Sequence, residues 1–320
     1  MTFPLFGAAV VPSLLILWFF LSRDHHPEPR AVLLRTFWYG VLITVPAGLL
    51  EVALSSAAEP LGLSPVAASL NSAFLGAALC EESLKFLIVY YYCRRNPAFD
   101  EPMDGIIYGV TASLGFATLE NVLYVASHGV EVAVMRALLA VPGHACWGAL
   151  MGYYIGQAQF GPAAHRTRNL ALALALPMAL HGLYDFPLMW LDRAEGDASP
   201  ALPWIWLPLV TLAIGWRLAL KQLHELRRDQ HLAAGLPEPL HVPRPPRRWA
   251  VLLQLGLGGL LAWGGGLMTL AVLAGVALGE AAVDTTALVV GTAAIGVLPL
   301  LLGLWLFSRG LQASTAARPA

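Results

Sequence analysis

Apolar residues run through this chain in long blocks, and the breaks between them are short and rich in Pro, Gly and Arg. A block of roughly 20 apolar residues is long enough to cross a bilayer as a helix. The pattern predicts nine such spans, at 2–22, 33–54, 66–93, 103–127, 134–157, 169–191, 203–220, 250–278 and 285–307. The expected fold class is therefore all-α, a polytopic transmembrane helix bundle. One stretch interrupts the pattern from within: Cys80-Glu81-Glu82-Ser83-Leu84-Lys85 puts two carboxylates and an ammonium in the middle of the 66–93 block. On insertion scales each such charge costs about 2.5–3.5 kcal/mol at mid-membrane. Lys85 follows Glu82 by three positions and Glu81 by four, so one cation can reach either acid on a shared helix face.

Composition agrees with a membrane protein. Of 320 residues 58% are hydrophobic and 12% charged, against about 25% charged in soluble domains. A net charge of −1, with the basic residues collected in loops, gives no nucleic-acid face. Cys80, Cys93 and Cys146 all fall in apolar blocks and read as small buried hydrophobes. No basic segment precedes the first block and Arg23 follows it, so it reads as an uncleaved span.

Basic residues also orient the bundle. Of the 19 Lys and Arg, sixteen fall after spans one, three, five and seven or in the C-terminal tail, Arg136 and Arg193 lie on the opposite side, and Lys85 is inside a span. Cytoplasmic loops carry this enrichment, which predicts an outside N-terminus and a cytoplasmic C-terminus. The break at 221–249 is basic and holds two Pro clusters; its first part, 221–230, can extend the preceding helix, and the Pro-rich part cannot. It divides the chain into a seven-span block, 1–220, with every mid-membrane charge, and a Gly-rich two-span extension, 250–320.

Three further spans bring polar groups to the same depth. Gly105, Gly109, Ser113, Ala117 and Asn121 form a small-residue ladder at four-residue spacing, with Glu120 beside its end. His144, Gly148, Gly152 and Gly156 form a second ladder, and Pro142 should loosen the backbone just before it. Small-residue ridges mark faces packed on other helices, so Asn121 and His144 are expected to point inward. His181 and Asp185 sit one turn apart on a fourth span. Counted from the nearest loop at 1.5 Å per residue, Glu81, Glu120, His144 and His181 reach depths that agree within roughly 10 Å.

Acids and imidazoles at one level inside a membrane suit two hydrolytic chemistries. In one, a Glu or His takes a proton from water that attacks a carbonyl, and a second His or an Asn supports the oxyanion. In the other, His and Glu bind a divalent metal that generates hydroxide. A proton- or ion-coupled transporter is the non-hydrolytic alternative. There is no His-Glu-x-x-His and no Gly-x-Ser-x-Gly, which argues against a common zinc-protease helix and a serine nucleophile.

Glu81-Glu82-x-x-Lys85, Asp104-Gly105-Ile-Ile-Tyr-Gly109, Phe116-Ala-Thr-Leu-Glu120-Asn121, Arg136 with His144, and His181-Gly-Leu-Tyr-Asp185 together resemble the PrsW family of intramembrane proteases. That family is distantly similar to the CAAX prenyl endopeptidases and their bacterial immunity-type relatives. The resemblance covers roughly 33–191. It implies a membrane-embedded endopeptidase in the cell membrane, with Glu81 and Glu82 as catalytic or metal-binding carboxylates beside Lys85. Glu120 stands where the CAAX relatives have a His, His144 and His181 look like the remaining imidazoles, and Asn121 and Asp185 like supporting groups. A divalent metal, zinc by family usage, would be held by Glu82, Glu120, His144 and His181; a metal-free glutamate mechanism stays open beside it. The implied substrate is a membrane-anchored protein, anti-sigma-factor-like by resemblance.

Overall fold

The computed structural model describes residues 3–194 and 201–235, and every regular element among them is helical. The predicted spans at 250–278 and 285–307, and the Pro-rich part of the linker, lie outside the described residues.

The first block forms α1 (Phe3–Leu21) and the second α2 (Arg30–Ala58). The 66–93 block is helical throughout but changes pitch three times. It passes from α3 (Pro65–Leu70) into a π-helical stretch (Asn71–Ala78), then α4 (Leu79–Leu87), then a second π-helical stretch (Ile88–Cys93). Next come α5 (Pro102–His128), α6 (Val130–Leu138), α7 (Ala140–Phe160), α8 (Arg166–Asp192) and α9 (Leu207–Ala233). α9 continues well past Leu220, as the sequence allowed.

The predicted span 134–157 is interrupted. Leu139 leaves helical geometry at φ −122° and ψ −62°, separating α6 from α7. Pro142 explains the position, since its ring clashes with the carbonyl four residues back, at Leu138. Among the described residues, five helical stretches can cross a membrane by length and composition: Arg30–Leu61, Pro102–His128, Val132–Phe160, Ala163–Asp192 and Leu202–Ala233.

The chain divides into two compact units. The first, Met1–Trp190 with Leu207–Glu238, is built around α5, which packs chiefly on α7 and α2 and also on α1. The second comprises Leu191–Trp206 and Pro239–Ala320, and its described part holds the end of α8 and a 3-10 turn at Leu202–Trp204.

The two small-residue ladders of the sequence pack against each other. A Cβ added to Gly105 would lie 2.2 Å from the carbonyl oxygen of Gly152, one on Gly109 2.2 Å from that of Gly148, and one on Gly152 1.8 Å from that of Gly105. Pairing 105 with 152 and 109 with 148 makes α5 and α7 antiparallel, with backbones in direct contact. The same close approach joins α2 to α5, where a Cβ on Gly40 would meet the Ala112 carbonyl oxygen at 2.1 Å. Backbone cannot yield as a flexible side chain can, so Gly152→Val is expected to cost at least the roughly 1–3 kcal/mol typical of overpacking. Thermal unfolding in detergent should show a clear drop, whereas Gly48→Ala, with nothing within 4 Å of the new methyl, should show none and a slight rise at most, Ala being the better helix former.

Candidate active site

The α5–α7 register brings Glu120 and His144 together, and α4 crosses beside them with its charged face inward. Glu81, Glu82 and Lys85 are all buried, Glu82 and Lys85 completely. The π-helical stretches on both sides of α4 widen its neighbouring turns, a device that recurs at functional sites. α8 comes in close because Gly182 lacks a side chain: a Cβ there would meet the Phe74 ring at 2.5 Å. That approach carries His181 to Glu82.

Lys85 is the hub. Its Nζ donates to Glu81 Oε2 at 3.0 Å and to Glu82 Oε1 at 2.8 Å, and lies 3.0 Å from His144 Nδ1. Because an ammonium only donates, Nδ1 of His144 accepts and the ring carries its proton on Nε2. That Nε2 donates to Glu120 Oε2 at 2.9 Å. His181 is held in a parallel way, with Nε2 3.0 Å from Asp185 Oδ2 and Nδ1 2.9 Å from Glu82 Oε1. Each imidazole thus has one nitrogen anchored by a carboxylate and turns the other toward Glu81, Glu82 and Lys85.

Aromatic rings enclose these groups. Lys85 Nζ sits 4.3 Å from the Phe116 ring centre, Trp147 stacks on His181 with centroids 4.2 Å apart, and Tyr184 packs edge-on against Trp147. Such walls lower the local dielectric and strengthen every charge interaction inside.

The predicted site residues do not all meet in one place. Glu81, Glu82, Lys85, His144 and His181 share one hydrogen-bonded cluster, and Glu120 and Asp185 stand behind the two rings. Asn121 does not touch it: its Nδ2 donates to the Ala9 carbonyl at 2.7 Å and its Oδ1 accepts from Arg136 Nε at 3.1 Å. Nor do Glu82, Glu120, His144 and His181 converge as one ligand set, because Glu120 lies on the Nε2 side of His144, away from the Nδ1 that faces Lys85. Among these site residues, Glu81, Glu82 and His181 have ligand atoms within 4.8 Å of one another.

The sequence reading gave three residues no role in the site. Arg136 pairs with Glu120 at 2.7 Å and lies 4.1 Å from the Tyr124 ring centre, joining the cluster from α6. Trp147, three residues after His144, supplies the stacking face. Glu51 on α2 lies within the field of Glu120, His181 and Asp185. A lone acid near the end of the second apolar block was its only sequence signal.

Two features fit the cluster to a divalent metal. Oε2 of Glu82 is buried without a hydrogen-bond partner, a costly state for a carboxylate oxygen. Among the groups in direct contact, the four carboxylates Glu81, Glu82, Glu120 and Asp185 face only Lys85 and Arg136 as permanent cations, an imbalance a dication would neutralise. Glu81, Glu82 and His181 would hold it, and Asp185 behind His181 supplies the outer hydrogen bond that metal-binding imidazoles ordinarily have.

Comparison with known proteins places the chain in a family. Residues 28–213 match the family described as PrsW family intramembrane metalloprotease. The chain is 39% identical to Protease PrsW of Geobacillus kaustophilus over 243 residues, covering 75% of this chain and 97% of that protein. It is 37% identical over 226 residues to Protease PrsW of Bacillus subtilis, covering 70% and 96%, and 40% identical over 190 residues to that of Halalkalibacterium halodurans, covering 59% and 85%. No solved structure matches. The transporter alternative finds no support in these relatives, and the chain belongs to the PrsW family of intramembrane metalloproteases.

Proposed function

We propose that this membrane protease cleaves its substrate at the cluster of Glu81, Glu82, Lys85, His144 and His181, with Glu81 as the base that activates water. The observation that carries this reading is the convergence of two acids, an ammonium and two imidazoles from α4, α7 and α8 in one buried hydrogen-bonded group. Glu82 is fully buried and fixed by Lys85 and His181, which suits it to a holding role. Glu81 retains slight exposure, and Lys85 engages its Oε2, leaving Oε1 for water.

Glu81 takes a proton as the water oxygen attacks the scissile carbonyl, and returns it to the leaving amine. The ammonium of Lys85, desolvated and fixed by three partners, supplies positive field for the developing oxyanion. His144 keeps its orientation through Glu120, and Glu120 through Arg136. A divalent ion on Glu81, Glu82 and His181 would contribute Lewis acidity and a more acidic water. Zinc is the ion we assign, because a mixed imidazole and carboxylate set suits it. Asp185→Asn is expected to lower zinc affinity or cleavage by about 10- to 100-fold through loosened His181, with global stability little changed. Equal zinc content and cleavage rate in this variant and the parent would remove Asp185 from the site.

The substrate we assign is a single-span, membrane-anchored protein, of anti-sigma-factor type by family resemblance. The nine-span arrangement with an outside N-terminus and a cytoplasmic C-terminus is also proposed, with 1–220 as catalytic block, 221–249 as linker and 250–320 as extension. In its favour, the segment after α1, the segment before α5 and the end of α9 meet through Gln230 with Asp24 and His26 with Glu101. The deciding experiment is metal analysis of the purified chain alongside cleavage of a single-span reporter with and without chelator. About one zinc per chain, lost together with activity, is expected; undiminished cleavage by metal-free protein would assign the chemistry to Glu81 alone.

A further inference from the structure

A second group of carboxylates lies at the other end of α5. Asp104 is sixteen residues before Glu120 on that helix, a separation of roughly 24 Å at the α-helical rise. Asp104 meets Asp24 and Glu28 from the turn joining α1 to α2, and one ligand oxygen from each of the three lies within 4.8 Å of the others.

Each carboxylate is braced from behind on one oxygen. Asp24 Oδ1 accepts from Gln230 Nε2 at 2.8 Å, and Asp104 Oδ2 accepts from the backbone N–H groups of Asp100 and Glu101, both at 2.7 Å. Glu28 Oε2 accepts from the Tyr108 hydroxyl. The bracing leaves the second oxygens of two of them stranded. Asp104 is completely buried and its Oδ1 has no hydrogen-bond partner; Oδ2 of Asp24 is likewise buried and unpartnered. The cap that Asp104 makes at the head of α5 uses Oδ2 alone, so capping does not account for Oδ1. Arg23, the adjacent cation in sequence, turns over the Phe19 ring at 4.7 Å. Burial pushes the Glu28 carboxyl above the ordinary carboxylate range.

Three carboxylates gathered within reach of one ion, two of them with an unpartnered oxygen, make a cradle for a cation. The donor set is all oxygen, with neither imidazole nor thiolate, and such sets select hard ions. We propose that Asp24, Glu28 and Asp104 bind a divalent cation of the calcium or magnesium class, which fastens the α1–α2 turn to the head of α5 and, through Gln230, to the end of α9.

An ion that binds the folded chain alone raises its stability in proportion to the logarithm of ion concentration. The test uses the full chain purified in detergent and stripped with chelator, in a Glu82→Gln background so that the active-site cluster is disabled. Mn2+ serves as a paramagnetic probe counted by EPR, and thermal unfolding is followed with added Ca2+ or Mg2+. One Mn2+ per chain and an ion-dependent rise in Tm are expected. Asp24→Asn and Glu28→Gln should each weaken Mn2+ binding about tenfold or more and flatten the Tm response. Asp104→Asn also removes a helix cap and is left out; if Asp24→Asn fails to fold, Glu28→Gln carries the test. No Mn2+ bound in the Glu82→Gln parent, or binding and Tm response unchanged in the substituted chains that fold, would overturn the site.

Discussion

Glu81→Gln is expected to lower peptide cleavage by roughly 10²- to 10⁴-fold, the usual contribution of a positioned general base, while the chain stays folded. Gln is nearly isosteric and still offers an oxygen to Lys85 Nζ, now 3.0 Å from Glu81 Oε2. What it loses is the capacity to take a proton. Glu82→Gln should be equally inactive for a different reason: Glu82 is completely buried and braced by Lys85 and His181, so its loss removes a fixed donor of the metal set. Zinc content should fall in both, because both carboxylates belong to the proposed metal set, and further in Glu82→Gln, whose side chain is the more rigidly held. Cleavage of a single-span reporter in proteoliposomes and metal analysis of the same preparations make the comparison. Parent-like turnover by Glu81→Gln would end the assignment of Glu81 as base.

Much of this site was legible in the sequence because a membrane makes buried charge conspicuous. Glu81, Glu82 and Lys85 stand out against an apolar block, and helical rise alone predicts that His144, His181 and Glu120 share their depth. The four-residue ladders were legible as packed faces. Only the structure pairs them with each other, since a ladder says that a helix is approached closely but not by which partner. The pairing of Arg136 was hidden for a related reason. It belongs to α6, and the break that Pro142 forces at Leu139 sets α6 apart from α7, with Arg136 against Glu120. Asn121 was assigned to the chemistry on its inward direction; the direction held, but its partners are Ala9 and Arg136. The metal set proposed here differs from the one the resemblance implied, because ligand grouping depends on which nitrogen of an imidazole faces which acid. His144 turns Nε2 to Glu120 and Nδ1 to Lys85, an orientation that no spacing rule encodes.

Lys85→Met carries the largest expected effect on stability. The ammonium is fully buried, and its charge is shared by Glu81 at 3.0 Å and Glu82 at 2.8 Å. Deleting one partner of a buried ionic group costs about 3–5 kcal/mol, because the remaining charges are left desolvated and unpaired. For a bundle of this size that corresponds to a drop in Tm on the order of 10 °C. The cost should be electrostatic rather than steric, since Met fills a similar volume. Neutralising the acids as well, in Glu81→Gln/Glu82→Gln/Lys85→Met, should therefore restore most of the lost stability, as buried ionic groups exchanged wholesale for neutral ones usually do. Zinc adds a second discrimination: it should raise the Tm of Lys85→Met, which keeps both carboxylates of the proposed metal set, and leave the triple variant unmoved. A Lys85→Met chain as stable as its parent would show that the ammonium does not hold the two acids together, and the charge balance drawn for this site would fall with it.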